Sequence, residues 1–198
     1  MTGPISTERG VIWIVGVAAS AGGPAAVASL LSGLGGIGAA VLVVQHIPAD
    51  FLDDFVAWMA RESALPVQLA AHQAVVRPGA VFVAPANTHL KVAAGNRLIL
   101  DAMPASPHRP SADILFTSIA AVTGRHAVGV LLSGMGDDGA AGLLAMRRAG
   151  ATTIVQDAGS AAVDGMPRAA RDLGAATLVL PLPKIAAAVR AATEAAAA

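Results

Sequence analysis

The chain has 198 residues, enough for one compact domain that buries its core without staples. It contains no cysteine, which excludes disulfides and thiolate metal sites, and its 13 Lys+Arg balance 13 Asp+Glu, so the basic excess of a nucleic-acid binder is missing. The 55% hydrophobic content, with aromatics at only 3%, suits a buried parallel sheet covered by Ala-rich helices.

The opening segment Met1–Gly10 carries no signal-peptide pattern. Val11–Val17 is an apolar, β-branched run that reads as a buried strand. Ala18–Gly23 is a loop of small residues, and Pro24 suits the first turn of a helix running to Leu31. Gly33–Gly38 is a turn before a second buried strand, Ala40–Val44, which ends at Gln45-His46-Ile47-Pro48. No charge occurs from Val11 to Gln45, but glycines and Pro24 interrupt the stretch, so no membrane insertion is expected and the protein is predicted to be cytoplasmic.

Asp50 is placed as the N-cap of a helix with Phe51, Leu52, Phe55, Trp58 and Met59 on one face. Val67–Ala70 is a third strand. Ala80–Ala84, Leu90–Ala93 and Arg97–Leu100 form an antiparallel excursion with a hairpin at Gly95-Asn96. After a Pro-rich loop, Ser111 or Asp113 caps a helix to Val122, followed by a strand over Ala127–Leu132. A helix over Ala140–Ala149, a strand over Ala151–Val155, a helix over Met166–Leu173, a strand over Ala176–Leu180 and a helix over Pro183–Ala197 complete the chain. Strands alternate with helices, which predicts an α/β fold: a doubly wound, mainly parallel sheet flanked by helices, with an antiparallel hairpin excursion.

In open α/β sheets, ligands bind at the carboxyl ends of the strands. Three such ends carry Ser20, His46 and Asp138. A serine hydroxyl needs a base to take its proton, an imidazole can serve as that base, and a carboxylate behind it fixes the tautomer and stabilises the imidazolium. Taken singly each residue has a plainer role: Ser20 as a small turn residue, His46 as a strand-end residue, Asp138 as the cap of the helix from Ala140. Their placement on one edge favours a Ser-His-Asp esterase. The order differs from that of α/β hydrolases, and the G-x-S-x-G elbow is absent. The Ala21 N–H is a candidate oxyanion donor, with the Met135 N–H as a second.

A competing reading rests on Gly134-x-Gly136-x-x-Gly139, which follows a strand, opens a helix and has Asp157 after the next strand, as a dinucleotide site does. Asp137 and Asp138 in that segment would repel a pyrophosphate. A non-catalytic or dinucleotide-binding module is therefore the alternative. His72, His89, His108 and His126 share no metal-ligand spacing and read as structural or surface groups.

The segments Val15-Gly16-Val17-Ala18-Ala19-Ser20-Ala21-Gly22-Gly23, Gln45-His46-Ile47-Pro48, Arg109-Pro110-Ser111-Ala112-Asp113 and Ser133-Gly134-Met135-Gly136-Asp137-Asp138-Gly139-Ala140 resemble the successive motifs of CheB protein-glutamate methylesterase catalytic domains. Val81–Pro85 and Gly165-Met166-Pro167 fit as well, so the likeness runs from about Val11 to about Leu182. The resemblance implies hydrolysis of glutamate methyl esters on a methylated chemoreceptor, releasing methanol without metal or cofactor, and in some members deamidation of receptor glutamine. It makes Ser20 the nucleophile, His46 the base and Asp138 the orienting carboxylate. Ala21 stands where members usually have Thr, and Asp137 where Asn is common. Members commonly carry an N-terminal receiver domain. The 19 residues before Ser20 are too few for one, so a single catalytic domain over 1–198 is expected, with any control coming from a separate regulatory protein.

Overall fold

The computed structural model describes residues 12–194. The opening Met1–Gly10, the start of the first predicted strand at Val11 and the end of the last predicted helix, residues 195–197, lie outside them.

The chain runs β1 (Trp13–Ala19), α1 (Gly23–Ser32), β2 (Ala39–Gln45), a 3-10 turn (Ala49–Phe51), α2 (Leu52–Glu62), β3 (Val67–Leu69), β4 (Val81–Val83), β5 (His89–Ala93), β6 (Arg97–Asp101), α3 (Ala112–Thr123), β7 (Ala127–Leu131), α4 (Ala140–Arg148), β8 (Thr152–Gln156), α5 (Gly165–Asp172), β9 (Leu178–Leu180) and α6 (Leu182–Glu194). Seven strands make one sheet in the order β3-β4-β2-β1-β7-β8-β9, with every neighbouring pair parallel. The α/β architecture predicted from the alternation of elements is the one observed.

Continuous apolar runs give strands buried on both faces: β2 is buried at every residue and β1 at every residue after Trp13. One layer packs Val15, Val17, Val41, Val43 and Val130 under α1, α2 and α6; the other packs Ile14, Leu42, Phe82 and Leu131 under α3, α4 and α5. Successive strand residues point to opposite faces, so alternate residues of one strand serve the two layers.

Two local expectations fail. Val81–Val83 joins the parallel sheet between β2 and β3, and only β5 and β6 form the antiparallel pair. The three strands look alike in sequence, because a short β-branched run does not reveal its partner. Asp50 does not cap α2; it sits in the 3-10 turn, and the helix starts after Phe51 without a side-chain cap.

β1 is the central strand. The chain winds outward from it through β2 to one edge, returns, and winds through β7 to the other edge. Its carboxyl end is therefore the point where the direction of winding reverses, the place where such sheets open a crevice.

Candidate active site

Ser20 follows β1 directly, and His46 follows β2 directly, its backbone N–H donating to Ala19 O at 2.9 Å. Ser20 opens a tight turn in which Gly23 N–H donates to Ser20 O at 2.8 Å. Gly22 sits in that turn at φ 73, ψ −5, a conformation that favours glycine. A Cβ at Gly22 would also strike Ala162 Cβ at 2.6 Å and Ser133 Oγ at 2.8 Å. The turn leads into α1, with Pro24 in its first positions.

Gln45, 3% exposed, lies between the two strand ends. Its Nε2 donates to Ser20 O at 2.9 Å and to His46 O at 3.0 Å, so one side chain ties the backbones of both residues together. Ser133 supports the turn from the β7 side: its backbone O accepts from Ser20 N–H, and its Oγ donates to Ala21 O at 2.8 Å.

Asp138 lies in the loop between β7 and α4. Its Oδ2 is 2.9 Å from His46 Nε2 and accepts from Ala112 N–H at 2.7 Å. Its Oδ1 accepts from Ser111 Oγ at 2.8 Å and Asp113 N–H at 3.0 Å. Burial pushes this carboxyl upward, but the hydrogen bonds from His46, Ala112, Asp113 and Ser111 outweigh it and hold its pKa at about 2. Asp138 is thus a buried partner for one imidazole nitrogen, ionised at neutral pH. The other nitrogen, Nδ1, is buried with no hydrogen-bond partner among the described residues, and the ring face stacks on His108 at 4.5 Å between centroids. Ser20 is half-buried, and its Oγ makes no hydrogen bond to His46 in this resting arrangement.

The amides of Ala21 and Met135 are both free of hydrogen-bond partners among the described residues. Each is aimed by the carbonyl of its own peptide, since N–H and C=O point oppositely across a trans peptide. Ser20 O is held by Gln45 and Gly23, and Gly134 O accepts from Met166 N–H at 2.9 Å. The two loops touch: a Cβ added at Gly134 would come within 2.9 Å of Ser20 Cβ.

The fingerprint glycines do not form a nucleotide cradle. The amides of Gly139 and Gly142 at the start of α4, where a pyrophosphate would sit, already donate to Asp113 Oδ1 at 3.0 and 2.6 Å. Asp157 Oδ1 is taken by the N–H and Oγ of Ser160. The plain reading of Asp138 as the cap of α4 fails as well, because Asp113 does that work and Asp138 serves α3.

In the sequence, Ser111 and Asp113 stand as alternative helix caps and as part of the Arg109–Asp113 motif, with no catalytic or supporting role assigned to either. Ser111 is the N-cap, accepting from Ile114 N–H, and both residues also hold Asp138. Nothing in the pattern Ser-Ala-Asp signals a partner 25 or more residues away. Gln45 stands in the sequence as the first residue of the Gln45–Pro48 motif, with nothing to signal that it bridges the two strand ends.

Beside the Ser20 and His46 loops opens an apolar groove of about 480 Å³ lined by Pro24, Ile47, Phe51, Phe55 and Trp58, with Arg61 and Asp54 at its side. No group of three or more metal-ligating side chains is present among the described residues, and no helix there is long and apolar enough to cross a membrane.

The chain is similar to known proteins along nearly its whole length. It is 47% identical over 175 residues to a protein-glutamate methylesterase/protein-glutamine glutaminase of Cupriavidus metallidurans, covering 87% of this chain and 52% of that protein. It is 49% identical over 170 residues to one of Anaeromyxobacter dehalogenans, covering 84% and 50%. The chain thus spans about half the length of these curated relatives. The crystal structure of the Thermotoga maritima CheB methylesterase catalytic domain superposes with a TM-score of 0.85 at 30% identity, covering 91% of this chain and 98% of that one. The family model for CheB methylesterase matches residues 15–189, and with the strand-end arrangement of Ser20, His46 and Asp138 it places this chain in the CheB methylesterase family.

Proposed function

We propose that the chain hydrolyses glutamate methyl esters on a methylated chemoreceptor through a Ser20-His46-Asp138 triad. The observation that carries this reading is the His46–Asp138 pair at 2.9 Å, drawn from the loops after β2 and β7, the two strands that flank β1 and the Ser20 that follows it. Ser20 Oγ attacks the ester carbonyl carbon as its proton passes to His46 Nδ1, the nitrogen that Asp138 leaves free. The tetrahedral oxyanion is held by the Ala21 and Met135 amides. When the intermediate collapses, the C–O bond to methanol breaks and His46 returns its proton to the departing methoxide oxygen. Water, activated by the same imidazole, then cleaves the acyl-serine to glutamate. Asp138 stays ionised throughout and stabilises the imidazolium formed in each half. The cycle consumes one water, and no step draws on a metal or redox group.

The relatives are also named as glutaminases, and the same steps remove ammonia from a glutamine side chain when His46 protonates the leaving nitrogen. The exposed groove beside Ser20 and the 70%-exposed Met135 suit a folded protein substrate better than a small molecule. The substrate is met in the cytoplasm, and a separate regulatory protein remains part of the proposal.

The test is methanol release from a methylated receptor fragment with a Ser20→Ala control. Turnover by the wild type and loss of several orders of magnitude in the variant are expected. Retention of more than about a tenth of the rate by Ser20→Ala would sink the nucleophile assignment.

A further inference from the structure

His89 takes no part in the proposed chemistry, yet its side chain is wholly shut away from solvent at the start of β5. Its two ring nitrogens meet partners of opposite kind. Nε2 lies 2.9 Å from Pro104 O, which only accepts, so Nε2 carries the proton. Nδ1 lies 3.2 Å from the backbone N of Ser111, which only donates, so Nδ1 is bare. The ring is therefore neutral and locked in one tautomer. Burial pushes its pKa down, and the Arg109 and Lys91 cations add to that, against the Pro104 carbonyl and the Asp101 carboxylate.

Ser111 is the residue through which this ring reaches the active site. It caps α3, and its N–H lies outside the helix's own ladder, so it needs an outside acceptor when buried. His89 Nδ1 is that acceptor. Ser111 Oγ and the next two amides supply three of the four hydrogen bonds that Asp138 receives, and the fourth comes from His46. A continuous set of contacts thus runs from Pro104 O through His89, Ser111 and Asp138 to His46. The same ring closes the loop between Pro104 and Ser111, which carries the His108 stacked on His46.

We infer that His89 is a positioning residue: by accepting the Ser111 amide proton it sets the start of α3 against Asp138, and so aims the Asp138–His46 pair at Ser20. The inference rests on the triad reading. Without the Nδ1 acceptor, the Ser111 turn shifts to find another partner, and the carboxylate it holds shifts with it. Displacements of this kind reduce turnover without altering the groove that binds substrate.

Two substitutions separate the ring's two bonds. His89→Asn places an amide oxygen near the Nδ1 position and keeps an acceptor for Ser111 N–H. His89→Gln keeps a donor toward Pro104 O and leaves Ser111 N–H without its acceptor. The measurements are kcat and KM for methanol release from a methylated receptor fragment, and the rate of Ser20 labelling by a fluorophosphonate. Expected are His89→Asn within about threefold of wild type, and His89→Gln down by about tenfold or more in kcat and in labelling, with KM unchanged. Equal losses in the two variants, or no loss in either, overturn the role of His89 while leaving the triad standing. A wild type that neither labels at Ser20 nor releases methanol overturns the triad reading before any variant is compared. A second measurement needs no variant: nitrogen-15 NMR of the native protein at neutral pH must show the His89 ring neutral with its proton on Nε2. An Nδ1–H tautomer or an imidazolium there overturns the inference.

Discussion

Asp113 and Asp138 cap each other's helices. Asp138, just ahead of α4, accepts the amides of Ala112 and Asp113 at the start of α3; Asp113, in that first turn, accepts the amides of Gly139 and Gly142 at the start of α4. Each carboxylate sits where the amide dipoles of the other helix converge, so the loop bearing Asp138 is locked to α3 from both sides. Asp113→Ala is expected to lower stability by about 1–2 kcal/mol in urea unfolding, the usual loss for a helix cap. It should also lower kcat, because the start of α4 is then free to move Asp138. Unchanged kcat in a measurably destabilised Asp113→Ala would show that the exchange of caps serves the fold alone.

The neighbouring acids should behave very differently. Asp138 is buried and meets four donors, whereas Asp137 is exposed and its side chain makes no hydrogen bond among the described residues. Asp138→Asn cannot stabilise the imidazolium and presents an amide that can orient the ring wrongly, so kcat should fall by several orders of magnitude. Asp137→Asn should stay within about threefold of wild type. Comparable losses at the two positions, measured by methanol release, would remove Asp138 from the triad.

Gly165 supports the loop that offers the Met135 amide. A Cβ there would lie 2.8 Å from Gly134 O, 3.0 Å from Gly136 N and 3.2 Å from Met135 Cα, all of them backbone atoms that cannot rotate away. Gly165→Ala should therefore push the Gly134–Gly136 segment off Ser20. The expected result is a stability loss of about 1–3 kcal/mol, as for other overpacked sites, with kcat falling further than the melting temperature alone accounts for. An active, slightly stabilised Gly165→Ala would mean that the loop tolerates the shift and that Met135 N–H has no part in catalysis.

Two buried groups weaken the fold as the pH falls, while Asp113, whose pKa burial raises, works in the opposite sense. His89 has its pKa lowered from 6.5, so below pH 6.5 the unfolded chain binds a proton that the folded one resists, and stability falls as the pH drops. Asp138 has its pKa lowered from 3.8 to about 2, so its contribution is complete above pH 3.8 and is lost as the pH falls toward 2, about 2 kcal/mol in all. Denaturant unfolding across pH should show both declines. His89→Gln should lack the upper one and Asp138→Asn the lower. An upper decline that persists unchanged in His89→Gln would assign it to another group.

Much of the framework was legible because burial on both faces writes continuous apolar runs: β1, β2 and β7 stand out at Val15–Val17, Val41–Val44 and Val128–Leu131. The loops bearing Ser20, His46 and Asp138 follow from those strand ends. What could not be read were contacts between distant segments. Val81–Val83 is too short to announce which strand it pairs with, and it went to the parallel sheet. Asp113 looked like a cap for its own helix and serves another. His89 carried no spacing signal at all, since its partners, Pro104 and Ser111, are backbone groups of an irregular loop whose path no periodicity describes.

The central position of β1 also bears on the order in which the chain folds. Ser20 lies between a strand that follows it closely and one that arrives much later, and the His46–Asp138 bond spans 92 residues. A chain emerging from the ribosome can pair β1 with β2 while Asp138 has yet to be synthesised. Closing so long a loop is entropically costly, and folds dominated by distant pairings form slowly. The meeting of Ser20, His46 and Asp138 is therefore completed late in folding, when β7 reaches the centre of the sheet.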